Sequence, residues 1–140
     1  MNRGPALVSI LRQGANLIAS VHTALDDSEL VRFERDLVEQ IGEHRSSGVI
    51  IDVAALDVID SFAALTLRRI AEMARLRGAR TVVVGIRPEV AFTMVRLGMG
   101  PTPSGGHLTT ALDLEEGLAL LGAQQAGGGP QGSDDGGSRP

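Results

Sequence analysis

Between the apolar run Val49-Ile50-Ile51-Asp52-Val53 and the amphipathic stretch after it, the chain reads Leu56-Asp57-Val58-Ile59-Asp60-Ser61-Phe62. Asp57, Asp60 and Ser61, with Asp52 just upstream, are the residues whose types and spacing could do chemistry. A serine at the start of a helix stands beside free backbone N–H groups and the positive end of the helix dipole, which favour an anion. A phosphate on Ser61 would gain those donors and set about −1.5 to −2 charges beside the carboxylates of Asp57 and Asp60. A partner docked there would meet a changed field and added bulk, so the chemistry on offer is that of a phosphorylation switch. Read as residues alone, the same Asp-Ser pair is also a common helix N-cap. Asp52, at a strand end, reads most simply as a loop or cap ligand.

Other chemistries find little support. No GxSxG elbow surrounds Ser61, and no histidine lies at a telling position, which disfavours a hydrolase. The three histidines, His22, His44 and His107, show no HExxH or His-x₃-His spacing and read as surface or loop residues. Cysteine is absent, so a disulfide framework, a Cys₄ zinc site, an iron–sulfur cluster and a thiol nucleophile are all excluded. All 13 basic residues are arginine, which removes Schiff-base chemistry and the Walker-type phosphate loop, whose lysine reaches the β/γ-phosphates. The formal net charge of −4 argues against nucleic acid as the main partner. No metal and no cofactor are expected.

The elements that must position this segment follow from hydrophobic periodicity. Ala6 to Leu11 and Leu17 to Val21 read as a hairpin across Gln13-Gly14-Ala15-Asn16. Asp26 and Glu29 have capping-box spacing, and Leu30, Phe33, Leu37 and Ile41 follow at helical intervals up to His44–Gly48. Val49 to Val53 and Thr81 to Ile86 are β-branched runs of the kind buried on both faces of a parallel sheet. Between them, Ser61 to Arg77 reads as a helix with Phe62, Leu65, Ile70, Met73 and Leu76 on its apolar stripe. Pro88 opens a further helix and Gly98 closes it. After the loop PTPSGGH at 101–107, the pattern allows a short strand at His107 to Thr109. Thr110 and Asp113 then cap a last short helix bearing Leu118 and Leu121.

The order predicts a single α/β domain, a mixed and mostly parallel sheet with helices packed on it, over residues 1–121. Residues 122–140 hold seven glycines, two prolines and no large apolar side chain, and are expected to form a disordered Gly-rich tail. No run approaches the ~18 apolar residues of a membrane span. The start, MNRGPALVSI, is too weak for a signal peptide. A cytoplasmic protein with no membrane partner is the plain expectation.

The stretch from Gly48 to Met99, with its VIDSF core, Arg-Leu-Arg-Gly-Ala turn and GIRPEVAFTMVRLG segment, resembles the STAS domain of anti-sigma-factor antagonists. TALDLEEGL, from Thr110 to Leu118, is similar to the stressosome branch of that family. Because the strand pattern opens the chain directly, the resemblance points to the lone-domain type, RsbS. It implies a phosphoprotein that is not an enzyme, a scaffold in a large hetero-oligomer with a sensor-bearing STAS paralogue of the RsbR type. That particle sequesters a switch serine/threonine kinase of the RsbT type and releases it under stress; a phosphatase of the RsbX type resets the state. Carried onto this chain, the phosphoacceptor is Ser61, with Thr93 matching a second phosphorylated position of the paralogue. Asp57, Asp60, Ser61 and Phe62 would form the docking surface. Two other readings stay open: a stand-alone antagonist binding an anti-sigma kinase one to one, and a small α/β hydrolase or nucleotide-binding domain using Asp52, Asp57 or Ser61.

Overall fold

The β-branched runs find each other as adjacent strands. In a computed structural model describing residues 6–99 and 108–127, β1 (Val8–Gln13) and β2 (Asn16–Val21) pair antiparallel across the two-residue turn Gly14-Ala15. Pairing runs to Gln13 opposite Asn16, so the turn is tighter than the four residues the sequence suggests. β3 (Gly48–Asp52), β4 (Arg80–Val84) and β5 (Thr109–Ala111) are added in parallel, in the spatial order β1-β2-β3-β4-β5. The mixed, mostly parallel sheet is the architecture that the order of elements requires.

Parallel neighbours cannot be joined by a hairpin and need a crossover. The crossovers are α1 (Asp27–His44), α2 (Ser61–Leu76) and α3 (Pro88–Arg96). Each step moves one strand in the same direction, so right-handed connections put all three helices on one face. Strand alternation sorts the side chains accordingly. Leu17, Ala19, Val49, Ile51 and Val83 meet α1 to α3, while Ile18, Ile50, Val82 and Val84 face the other side. There α4 (Leu114–Gly127) covers them with Leu114, Leu118 and Leu121. Few large rings are available, so the core is aliphatic, with Leu17, Leu37, Ile50, Ile51, Ile70 and Val83 fully buried.

The structure corrects several sequence expectations. The short strand lies at Thr109–Ala111 rather than His107–Thr109, and Asp113 alone caps α4, its Oδ1 accepting from Glu116 N at 2.9 Å, because Thr110 belongs to β5. α4 itself runs from Leu114 to Gly127. Residues 128–140 and the 101–107 loop lie outside the described residues. The stripe of α2 also differs. Ala64, Leu67, Ile70 and Ala74 are buried, whereas Leu65 and Leu76 point out, 43% and 79% exposed. The small alanines let α2 approach the sheet, and the larger side chains are left to the surface.

One ion pair fastens α2 to α1. Arg69 Nη2 donates to Glu34 Oε1 at 2.6 Å, and Glu34 is buried. Arg69→Ala leaves that carboxylate with its charged partner gone. A loss of about 1–2 kcal/mol is expected in chemical denaturation, below a fully buried pair because Arg69 is 40% exposed. The double variant Arg69→Ala/Glu34→Ala should recover part of it.

Candidate phosphorylation switch site

β3 delivers the segment to the carboxyl edge of the sheet, where open α/β folds gather their functional groups. Asp52, the last residue of β3, accepts from Ala54 N–H at 2.9 Å through Oδ1 and so starts the loop rather than facing a reacting centre. Leu56 N–H then donates to Val53 O at 2.9 Å. Leu56 and Ile59 are buried and tie the loop to the core, which leaves Asp57, Val58 and Asp60 outside. Alternation of buried and exposed residues through the loop is what turns its polar side chains to solvent.

Asp60 is the N-cap of α2. Its Oδ1 accepts from Ala63 N at 2.8 Å, and its backbone is extended, with φ −99° and ψ 177°. Ser61 is the first helical residue. The cap role thus falls to Asp60 and leaves the Ser61 side chain free of it. Ser61 is exposed, and its hydroxyl makes no hydrogen bond among the described residues. Ser61 therefore sets an exposed, spare hydroxyl at the positive end of a 16-residue helix, where an anion would be favoured.

The structure brings Asp57, Asp60 and Ser61 together on one exposed edge. Phe62 is half-buried and takes no part in the main core cluster. Two apolar residues that the periodicity reading either passed over or assigned to the core join them. Val58 is 66% exposed, and Leu65, one helical turn beyond Ser61, lies on the same face of α2. An exposed valine between two aspartates was the available signal. The exposed edge thus carries two apolar side chains, Val58 and Leu65, along with Asp57 and Asp60.

Thr93 stands apart, on α3. It is half-buried, and its hydroxyl donates to Glu89 O at 3.1 Å, the usual back-bond of a helical threonine. Outside the loop, Arg87 reaches in from the β4–α3 connection, its Nε donating to Ala54 O at 3.0 Å. Among the described residues no cluster of His, Asp and Glu could hold a metal ion, and no helix is long and apolar enough to cross a membrane.

The family model of the STAS domain matches residues 8–116. Among solved structures, a variant of RsbS from Moorella thermoacetica with a serine replaced by glutamate superposes with a TM-score of 0.74. It is 31% identical, and the match covers 86% of this chain and 98% of that one. A structure described as the molecular architecture of the stressosome matches with a TM-score of 0.67 and 29% identity over 84% of this chain and 98% of that chain. In sequence, the RsbT co-antagonist protein RsbRA of Bacillus subtilis is 36% identical over 75 residues, 54% of this chain. The matched stretch spans about a quarter of that relative's length, 27%.

Proposed function

This chain belongs to the STAS-domain family, and from that premise we propose that it is a stressosome scaffold and antagonist of the RsbS type that is phosphorylated on Ser61. The observation that carries the reading is the exposed Ser61 at the first position of α2, its hydroxyl spare because Asp60 holds the cap. The likeness to RsbS across nearly the whole of that chain supports it. In the unmodified state Asp57, Val58, Asp60, Phe62 and Leu65 hold a switch serine/threonine kinase of the RsbT type. Phosphate on Ser61 places charge at the centre of that surface and releases the kinase. The chain catalyses nothing itself; chemistry is done to it.

The same reading makes a sensor-bearing paralogue of the RsbR type its neighbour in a large cytoplasmic hetero-oligomer, with a phosphatase of the RsbX type removing the phosphate. Thr93 ranks behind Ser61 as an acceptor, because its hydroxyl is already engaged by Glu89 O. The test is incubation of the chain with the paired kinase and ATP, followed by phosphosite mass spectrometry. Phosphate on Ser61, abolished in Ser61→Ala, is the expected result. Phosphate confined to any other residue overturns the assignment.

A further inference from the structure

We propose that Arg87 is the positioning residue of the Ser61 loop, holding the β3–α2 connection in the shape that presents Ser61 and thereby setting how fast Ser61 is phosphorylated. This rests on the reading of Ser61 as phosphoacceptor. The residues from Val53 to Asp60 form no helix or strand, so their shape depends on individual anchors. Two of these are hydrophobic, Leu56 and Ile59. The backbone adds Val53 N–H to Val84 O at 3.0 Å and Leu56 N–H to Val53 O at 2.9 Å, and two side-chain bonds meet at Ala54. Asp52 Oδ1 takes its N–H at 2.9 Å, and Arg87 Nε supplies its carbonyl at 3.0 Å. The second bond crosses 33 residues of sequence and is a charged one, the stronger kind.

Arg87 is also out of place by local rules. It is the N-cap of α3, a position that favours Ser, Thr, Asp or Asn, and its side chain makes no capping bond. Pro88, which follows, lacks an N–H, so the helix start needs one donor fewer satisfied. A residue that forgoes its own cap to hold another loop is placed for that loop. Gly85 closes the arrangement from below: a Cβ there would come within 2.8 Å of Ala54 Cβ and 3.0 Å of Asp52 Oδ1. The β4–α3 connection and the Ser61 loop therefore sit against each other with no slack at Ala54.

The experiment combines hydrogen exchange with phosphorylation kinetics on the full chain, using purified kinase of the RsbT type. In Arg87→Ala, the amides of Ala54 and Leu56 are expected to exchange about tenfold faster, as loss of one such bond implies. Amides of Ile50 and Ile51 in β3 should keep their protection, showing that the fold stands. Phosphorylation of Ser61 should lose roughly tenfold in kcat, with a smaller rise in KM because Asp57, Val58 and Asp60 of the same loop also meet the kinase. Arg87→Lys, which can still donate toward Ala54 O, should restore much of both. Unchanged exchange at Ala54 and Leu56 in Arg87→Ala overturns the positioning role, whether or not Ser61 is the acceptor. Faster exchange with unchanged kcat, or a change in KM alone, overturns the link to phosphorylation. If the wild-type chain takes no phosphate on Ser61, the functional reading fails and takes the link to phosphorylation with it, while the exchange data still decide on the clamp.

Discussion

Ser61→Asp is expected to bind the switch kinase at least tenfold more weakly than the wild type, and Ser61→Ala to bind it as well as the wild type. The reason lies in what surrounds the hydroxyl. Val58 and Leu65 are exposed apolar side chains beside it and Phe62 is half-buried, so a docked partner must exclude water from the middle of the patch. A carboxylate there has to be desolvated on docking, and one uncompensated charge easily exceeds the ~1.4 kcal/mol that a tenfold loss represents. The new carboxylate also repels any acidic partner group and its neighbours Asp57 and Asp60, and salt screens that part. Desolvation is not screened, so high salt should recover only a fraction of the lost affinity. Unfolding cannot explain such a loss, because an acidic residue in the first turn interacts favourably with the helix dipole, worth about 0.3–1 kcal/mol. Ser61→Asp should melt no lower than wild type while binding worse. Titration calorimetry with the kinase reads the first quantity and a thermal scan the second. Equal affinity for all three proteins, or tighter binding by Ser61→Asp, would sink the mechanism.

The elements legible in the sequence were those whose signals are local. In α1, the spacing of Asp26 and Glu29 announced a capping box, and both of its hydrogen bonds form, at 2.8 Å each. The Glu29 backbone N–H, and after it the Ser28 hydroxyl, donate to the Asp26 carboxylate and hold it below its ordinary pKa. The stripe of Leu30, Phe33, Leu37 and Ile41 is buried as its period required. The start of α2 was equally plain from Asp60 and Ser61. Its buried face was not, because apolar residues occur all round this helix and a period cannot choose among them. Ala64 and Ala74 contribute little hydrophobicity, yet their small size decides which side meets the sheet. The Ser61 loop shows the same division. Its chemistry-bearing residues lie within a few positions of each other, but Arg87 becomes their neighbour only once β3 and β4 lie side by side. No reading of local spacing reaches across that pairing.

Gly85→Ala should be the most damaging single methyl that can be added near the site. Gly85 has a φ of 77°, where a residue with a Cβ is strained by roughly 1–2 kcal/mol. The new methyl would also stand 2.8 Å from Ala54 Cβ and 3.1 Å from Ala54 Cα. Backbone, unlike the far end of a flexible side chain, cannot swing away, and overpacking of this kind costs a further ~1–3 kcal/mol. Together these give about 3 kcal/mol, or a fall in melting temperature on the order of 10 °C for a domain of this size. Gly78 supplies the control. Its φ is 83°, almost the same, but a Cβ there meets nothing within 4 Å. Gly78→Ala should therefore show the backbone strain alone, and the difference between the two variants measures the contact with Ala54. Adding Ala54→Gly to Gly85→Ala removes the closest of those atoms, so the double variant should lose less than the sum of the two single changes. Because the displaced atoms belong to the peptide that Arg87 and Asp52 hold, Gly85→Ala should also speed exchange at Ala54 and slow phosphorylation of Ser61, whereas Gly78→Ala should do neither. Equal destabilisation by the two alanines would mean that Ala54 gives way freely, and the loop is then not held as tightly as its hydrogen bonds imply.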